Sequence, residues 1–175
     1  MECVLIPGSF DPITVGHMDI IHRAACLFPH VVVAVMTNDM QNYVSGVTPK
    51  RYMFTQDERC HLARLACADL PNVEVISATG RLIDVVDAQR IDGIIKGVRT
   101  AVDFEYEQKH ALWNRAHNPR AETLYMPASP EFDGVSSTLV RERLESGESA
   151  DDYLPQPVSA WIAENLHLEK TEGKT

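Results

Sequence analysis

Short apolar runs alternate with amphipathic helical patterns along this chain, and the alternation restricts the possible folds more than any other feature. Cys3–Ile6 and Val31–Met36 are apolar runs, the second rich in β-branched residues, and both indicate buried strands. Between them, His17–Phe28 carries apolar residues at helical spacing along one face. A strand, a helix and a second buried strand in this order predict a βαβ unit, and therefore a parallel sheet.

The same alternation continues toward the C-terminus. The predicted strands are Cys3–Ile6, Val31–Met36, Val73–Ile76, Gly93–Lys96 and Thr123–Met126. The predicted helices are His17–Phe28, Thr55–Ala68, Leu82–Gln89, Asp103–Arg115, Ser137–Ser146 and Val158–Leu166. This order predicts an α/β fold: a single-domain, doubly wound (Rossmann-like), five-stranded parallel sheet with helices on both faces. We assign residues 1–168 to this domain, residues 169–175 to a polar C-terminal tail, and the polar stretch Asn38–Arg51 to a long loop.

Composition and charge exclude several classes of partner. The chain has 16 Lys and Arg against 25 Asp and Glu, a net charge of −9, so the clustered positive charge that duplex binding requires is not expected. No apolar run is long enough to span a bilayer, and the N-terminus lacks the basic region of a signal peptide. The four cysteines have no CxxC spacing, which favours reduced thiols. We therefore expect a cytoplasmic protein without nucleic-acid or membrane partners.

Three segments that follow predicted strands share an affinity for anions. They are Gly8–His17, Lys96–Arg99 and Val135–Arg141. The first contains two glycines that let backbone approach a ligand, and the third opens a helix with a Ser-Ser-Thr run beside free N–H groups. Lys96 and Arg99 add positive charge to the second segment. Since parallel strands bring their carboxyl ends to one edge, the sequence predicts a phosphate site there.

The widespread phosphate-binding and hydrolase motifs are missing. The sequence contains no GxxxxGK[ST], so the phosphate site is not a P-loop. It also contains no GxGxxG, which gives no support to a dinucleotide cofactor, and no GxSxG nucleophile elbow.

The three segments resemble known signatures. Gly8–His17, which ends in Thr-Val-Gly-His, resembles the [TH]xGH signature of the nucleotidyltransferase superfamily, and Val135–Arg141 resembles its ISSTxxR signature. Lys96–Arg99, followed by Asp103–Glu107 (DFEYE), is similar to the bacterial phosphopantetheine adenylyltransferase family of coenzyme A biosynthesis. The likeness runs from about Val4 to Pro155.

The resemblance implies a reaction between ATP and 4′-phosphopantetheine that gives dephospho-coenzyme A and pyrophosphate, the penultimate step of coenzyme A biosynthesis. The acceptor phosphate would attack the α-phosphorus in line, without a covalent enzyme intermediate, so positioning and charge stabilisation would dominate. Mg²⁺ would be held through the ATP phosphates, with no direct protein ligands. Family members are commonly homohexamers and are commonly inhibited by coenzyme A, and we expect both properties here.

The resemblance also assigns roles to individual residues. His17 and Lys96 would be catalytic. The residues assigned to ATP are Ser9, Phe10, Thr14, Gly16, His17, Gly97, Arg99, Glu107, Val135, Ser136, Ser137 and Thr138. Those assigned to phosphopantetheine are Ser9, Lys50, Arg51, Leu82, Lys96 and Asn114.

The sequence departs from the family pattern at two of these positions. Arg51 stands where the family has lysine, and Lys96 where it usually has arginine. Both exchanges keep the charge but change the geometry, because arginine offers a planar fork and lysine a point donor. Lys50 could take the lysine role instead of Arg51.

The sequence is also compatible with two other functions. A sister nucleotidyltransferase would use nicotinate mononucleotide, or CTP with glycerol 3-phosphate, and the Asp103–Glu107 stretch argues against it. A non-catalytic nucleotide sensor is the second alternative, and His17 argues against that. Arg141 and Arg143 share a predicted helix with Glu142 and Glu145, so we expect solvent-exposed ion pairs there, and contact with phosphate is the alternative for Arg141.

Overall fold

The computed structural model describes residues 1–37 and 51–172, so Lys50 and nearly all of the predicted loop lie outside the described residues. The strands are β1 (Cys3–Gly8), β2 (His30–Thr37), β3 (Val73–Thr79), β4 (Gly93–Val98) and β5 (Thr123–Pro127). The helices are α1 (Val15–Leu27), α2 (Gln56–Ala66), α3 (Leu82–Ala88), α4 (Ala101–His117), α5 (Ser137–Glu145) and α6 (Gln156–Glu172). Each predicted element is present, and α6 extends beyond its predicted end at Leu166.

The strands form one parallel sheet in the order β3-β2-β1-β4-β5, which confirms the predicted α/β architecture. Alternate residues of the central strands enter two separate apolar cores. Val4 and Ile6 belong to the core under α1, α2 and α6, whereas Leu5 belongs to the core under α3. Burial on both faces explains why these strands are continuous hydrophobic runs rather than alternating ones.

The sheet reverses its direction of winding between β1 and β4. The β1–β2 ladder runs from Cys3–His30 to Gly8–Val35, but the β1–β4 ladder contains only Val4–Gly93 and Leu5–Ile94. The two strands therefore part beyond Leu5, at their carboxyl ends. In doubly wound sheets this switch point is where ligands bind.

The sequence predicts that the first strand ends before Pro7, whereas β1 continues through Pro7 to Gly8. The Asp92 N–H donates to the Cys3 carbonyl at 2.8 Å, so the backbone polar groups of Cys3 face β4. Because a strand has a period of two residues, those of Leu5 and Pro7 face the same side. Pro7 shares this orientation, and its missing N–H falls where the β4 ladder has already stopped. The proline therefore removes no sheet hydrogen bond.

No helix formed by residues 1–37 and 51–172 combines the length and hydrophobicity needed to cross a bilayer.

Candidate active site

A cavity of about 350 Å³ lies at the carboxyl edge of the sheet, where β1 and β4 part. The three predicted segments converge on it, as the parallel topology requires. The lining includes Ser9, Thr14, Gly16, His17, Gly97, Arg99, Glu107, Val135, Ser136, Ser137 and Thr138, all predicted for nucleotide binding or for both substrates. It also includes Arg141 and five residues that were not predicted to contact a substrate: Ile20, Asp103, Tyr106, Ala128 and Phe132.

His17 is held at the start of α1 by a capping box. The Thr14 hydroxyl accepts the His17 N–H at 3.4 Å, and the Thr14 N–H donates to the His17 Nδ1 at 3.0 Å. His17 therefore sits in the first helical turn, where backbone N–H groups have no helical acceptor and the helix dipole favours an anion. This placement is suitable for a residue that meets a phosphate.

Phe10, which was predicted to contact ATP, packs its ring against His17 and is not among the residues that line the cavity. The ring is 2% exposed, and its centroid lies 5.1 Å from that of the His17 imidazole in an edge-to-face contact. Gly8 is required by the same packing, since a Cβ there would lie 2.8 Å from the Phe10 ring. Phe10 thus supports the imidazole, and its side chain makes no wall of the cavity.

The start of α5 is tied to the loop after β1. The Ser136 hydroxyl caps the helix by accepting the Leu139 N–H at 3.1 Å, and the Ser137 hydroxyl donates to the Pro12 carbonyl at 2.8 Å. These bonds fix the helix N-terminus beside the segment that carries His17. The free N–H groups of the first turn then form an anion-binding surface.

Arg141 overturns the expectation of a solvent-exposed ion pair with neighbouring glutamates. Its guanidinium donates to the Asp11 carbonyl at 2.8 Å, lies 3.7 Å from the Asp11 carboxylate, and also donates to the Thr138 hydroxyl at 3.2 Å. Helical spacing pointed to partners on the same helix, but this face of α5 packs on the β1 loop. Arg143 does form an ion pair near the surface, with Glu148 at 3.1 Å.

Asp11 is fully buried and connects the β1 loop to the segment that precedes α2. Its carboxylate accepts the N–H groups of Met53 and Phe54, both at 3.0 Å. A buried carboxylate is tolerated when hydrogen bonds and a cation compensate it, and Arg141 supplies the cation. Arg51, two residues before Met53, is exposed and does not line the cavity.

Arg59 on α2 is the most important residue that the sequence analysis missed. It is 1% exposed, and its guanidinium donates to the Ser9 carbonyl at 2.6 Å and to the Met36 carbonyl at 3.0 Å. It also stacks over the Tyr52 ring, 4.1 Å from the centroid. Burial lowers the pKa of Arg59 from its usual value. The residue joins the ends of β1 and β2 and thereby sets the backbone at Ser9, on the cavity wall.

The predicted acceptor residues are less closely assembled. Lys96 lies beside the cavity and pairs with Glu107 of α4, with Nζ and carboxylate oxygen 3.1 Å apart and both side chains about four-fifths buried. The sequence analysis had assigned the two residues to different substrates. Leu82 is half-buried at the start of α3, Asn114 is buried within α4, and neither lines the cavity.

Arg99 joins two of the three segments. It pairs with Asp103 at 3.2 Å and donates to the Val135 carbonyl at 3.2 Å. Gly97, two residues earlier, lets α1 pack closely on β4, since a Cβ there would lie 3.0 Å from the Ile20 side chain. Positive charge is thus fixed on the wall of the cavity.

Asp19 fastens the segment between β5 and α5 to α1. Its carboxylate accepts the Ser129 N–H at 3.0 Å and the Ser129 hydroxyl at 2.9 Å, and it pairs with Arg23 at 3.0 Å. Burial alone would raise the pKa of Asp19, but these hydrogen bonds outweigh it and the pKa lies below its usual value. The helix that bears His17 thereby also holds the loop leading to Ser136.

The donor set of the cavity fits a polyphosphate with Mg²⁺ bound to it. The two carboxylates on the wall, Asp103 and Glu107, are both paired with cations. Residues 1–37 and 51–172 contain no cluster of three or more His, Cys, Asp or Glu side chains that could hold a metal ion. Hydroxyls, N–H groups and arginines favour phosphate oxygens, and Mg²⁺ usually reaches such sites on phosphates and water.

Comparisons with known proteins agree with this geometry. The sequence matches the cytidylyltransferase-like family over residues 5–143. It is 42% identical to the phosphopantetheine adenylyltransferase of Actinobacillus succinogenes over 158 residues, 90% of this chain and 92% of that protein. It is also 42% identical to the phosphopantetheine adenylyltransferase of Mannheimia succiniciproducens over 163 residues, 93% of this chain and 97% of that one.

A solved structure shares the fold. It is a candidate nicotinate-nucleotide adenylyltransferase from Vibrio parahaemolyticus, with a TM-score of 0.66, covering 94% of this chain and 93% of its own. Its 19% identity makes this a likeness of fold alone. The extent and identity of the sequence matches, together with the three segments gathered at the switch point, show that the chain belongs to the phosphopantetheine adenylyltransferase family of cytidylyltransferase-like proteins.

Proposed function

We propose that this chain transfers the adenylyl group of ATP to 4′-phosphopantetheine, giving dephospho-coenzyme A and pyrophosphate. The observation that carries the proposal is the convergence of three phosphate-binding segments on one cavity, with His17 at the start of α1 and Arg99 on the wall. Two helix N-termini and two arginines suit a triphosphate, which needs many donors and dispersed positive charge. Membership of the family supplies the identity of the acceptor.

The reaction needs no protein nucleophile. An oxygen of the acceptor phosphate bonds to the α-phosphorus while the bond to the pyrophosphate oxygen breaks, and the protein positions both groups. His17 stabilises charge that develops on the α-phosphate, and the first turn of α5 holds the β- and γ-phosphates. Mg²⁺, when bound, neutralises charge on the phosphate oxygens. Arg99 and Arg141, both on the wall of the cavity, complement that charge.

Lys96 is the proposed contact for the acceptor phosphate. Its ion pair with Glu107 holds the ammonium beside the cavity, which compensates for the flexible lysine stem. Ser9 lies on the wall and is the second proposed acceptor contact. Arg51, Leu82 and Asn114 remain predictions for the pantetheine arm, and Lys50 lies outside the described residues.

Association into a homohexamer is part of the proposal. Helix α4 buries only Asn114 among its 17 residues, yet it exposes large apolar side chains. These are Val102, Phe104, Tyr106, Leu112 and Trp113. At helical spacing Val102, Tyr106 and Trp113 share one face of α4, and exposed apolar residues grouped in this way are typical of a surface that another chain covers. Light scattering of the purified protein tests it, and a mass of six chains is the expected result.

Two further predictions belong to the proposed function. Coenzyme A is expected to inhibit by competing with phosphopantetheine, because both carry the pantetheine arm, and its addition to the assay tests this directly. The cytoplasmic location remains a prediction.

The decisive assay is pyrophosphate release by the purified protein with Mg²⁺ and ATP, with and without 4′-phosphopantetheine. Nicotinate mononucleotide with ATP, and CTP with glycerol 3-phosphate, run in parallel. Release that depends on phosphopantetheine supports the proposal. Release with another acceptor alone would replace the substrate and keep the nucleotide site. Binding of ATP without release from any acceptor would favour a nucleotide sensor.

A further inference from the structure

Two groups of Thr14 approach the Nδ1 atom of His17. The Thr14 N–H donates to it at 3.0 Å, and the Thr14 hydroxyl lies 2.9 Å from it. The same hydroxyl accepts the His17 N–H at 3.4 Å, which leaves its own proton to point toward Nδ1. A backbone N–H can only donate, and the hydroxyl adds a second donor, so the two together favour an unprotonated Nδ1 that accepts from both.

A second capping box in the same chain has the same arrangement with an unambiguous acceptor. In α2, the Glu58 carboxylate accepts both the Thr55 N–H and the Thr55 hydroxyl at 2.7 Å, while the Thr55 hydroxyl accepts the Glu58 N–H at 3.2 Å. In α1 an imidazole nitrogen takes the place of that carboxylate oxygen. The comparison supports the acceptor role of Nδ1.

The protonation of the imidazole follows from this geometry. When Nδ1 accepts, the neutral ring carries its single proton on Nε2. The Phe10 ring, 2% exposed and in edge-to-face contact, restrains the imidazole from another side. The orientation of the ring and the position of its proton are therefore both set before a nucleotide arrives.

We propose that Thr14 is a positioning residue that fixes His17 in the Nε2–H tautomer, so that His17 presents a hydrogen-bond donor to the α-phosphate. This role rests on the proposed adenylyl transfer, and it changes what Thr14 was predicted to do, which was to contact ATP. With the proton on Nδ1 instead, Nε2 would present a lone pair to an anion and would repel it. Thr14 therefore acts on the reaction through His17.

Substitutions at the two capping threonines separate this role from helix capping. Thr14→Val removes the hydroxyl at nearly constant volume, Thr14→Ser keeps it, and Thr55→Val removes the equivalent cap from α2. We expect Thr14→Val to lower kcat by about tenfold or more, with the KM for ATP within about threefold, as for one hydrogen bond felt in the transition state. Thr14→Ser should recover kcat to within about threefold of the wild-type protein. Thr55→Val should lose comparable stability but retain kcat.

A spectroscopic measurement tests the tautomer without reference to activity. Solid-state NMR of protein labelled with ¹⁵N only in histidine distinguishes protonated from unprotonated ring nitrogens, and the His17 signals are those lost in His17→Gln. At about pH 8.5, where imidazole is ordinarily neutral, we expect an unprotonated Nδ1 in the wild-type protein. In Thr14→Val the backbone N–H still donates to Nδ1 but the hydroxyl is gone, so we expect a larger protonated fraction at Nδ1 than in the wild-type protein.

The two measurements keep the inference and the proposed function separable. A proton on Nδ1 of wild-type His17, or a kcat loss in Thr55→Val equal to that in Thr14→Val, would overturn the inference. Failure of pyrophosphate release in the wild-type protein would overturn the function, while the NMR result would still decide the tautomer.

Discussion

Single residues at the site are held from behind by others that do not touch the cavity. The Phe10 ring supports the His17 imidazole, and the Arg59 guanidinium holds the Ser9 carbonyl at 2.6 Å. Side chains placed in this way lose little freedom when a ligand binds, because the fold has already ordered them. Substitution of a residue that faces the ligand should therefore change turnover or substrate affinity. Substitution of a residue behind the site should also lower the free energy of unfolding.

Removal of the His17 imidazole should affect the transition state more than nucleotide binding. We expect His17→Ala to lower turnover by about 10²–10³-fold while ATP affinity changes by less than about threefold, the size of a lost transition-state hydrogen bond. Pyrophosphate release and calorimetric titration with ATP measure the two quantities. The control is His22→Ala, an exposed histidine on the same helix. Turnover near that of the wild-type protein would remove His17 from the mechanism.

Lys96 should determine acceptor binding rather than nucleotide binding. Loss of its charge in Lys96→Ala should raise the KM for phosphopantetheine by about tenfold or more, the value of a charge-assisted hydrogen bond, and the KM for ATP by less. Initial rates with each substrate varied in turn measure the split. Lys109→Ala, an exposed lysine on α4, is the control. The opposite pattern would assign Lys96 to the nucleotide, together with its partner Glu107.

At the scale of elements, the site is a set of loops fastened to neighbouring helices and segments. Asp11 holds the segment before α2 through two N–H groups, Asp19 of α1 holds Ser129, and Ser137 of α5 holds Pro12. Each fastening crosses between parts of the chain far apart in sequence. A substitution that displaces one of these helices should therefore also displace the site loop that is hydrogen-bonded to it.

Replacement of Arg59 should weaken the fold and the site together. Arg59→Met leaves the Ser9 and Met36 carbonyls without their donor, at a cost of about 3 kcal/mol in the free energy of unfolding. Urea denaturation measures this cost, and turnover should fall even where the variant is fully folded, because Ser9 lies on the cavity wall. Arg64→Met changes an exposed arginine on the same helix and should be nearly neutral. Equal stability of the two variants would contradict the role given to Arg59.

The elements and the convergence of the three segments were predictable because their signals are local. Hydrophobic period and turn residues lie within short windows, and one topological rule then places every strand end on the same edge. The roles of Phe10 and Arg141 were not predictable in this way. Their contacts depend on loop conformation and on which helix face packs on which loop, and no local period encodes either.

Arg59 left one signal that the sequence analysis passed over. It shares the buried face of α2 with Leu62 and Ala63, three and four residues further on. A charged residue on an apolar helix face is expected to have a buried partner. The partner is the Ser9 carbonyl, 50 residues away in sequence, and only the structure identifies it.

At the scale of the whole molecule, acid should destabilise the fold through several aspartates at once. Besides Asp19, hydrogen bonds lower the pKa of three exposed carboxylates, and the donors are the Arg81 guanidinium for Asp84, the Cys3 N–H for Asp92 and the Ser159 hydroxyl for Asp151. As the pH falls, the unfolded chain binds protons first. The four charged aspartates stabilise the fold fully above the ordinary aspartate pKa of about 3.9. This stabilisation is lost as the pH falls through their lower pKa values in the folded chain.

Urea midpoints between about pH 7 and pH 3 test this dependence. Asp19→Asn should flatten the acid limb of the curve, because it removes one of the contributing groups. Asp69→Asn, at an exposed position, is the control. A curve for Asp19→Asn that runs parallel to that of the wild-type protein would show that the Ser129 contacts do not stabilise the charged form.

The parting of β1 and β4 has a consequence for folding itself. The cleft brings residues 8–17 together with residues 135–141, which are far apart in sequence, so it forms only with the long-range contacts of the native fold. A nucleotide that binds there binds the native state alone and opposes unfolding by mass action, by about 2.7 kcal/mol at 100 times its Kd. Nucleotide concentration therefore sets the thermal resistance of this chain as well as the rate of its reaction.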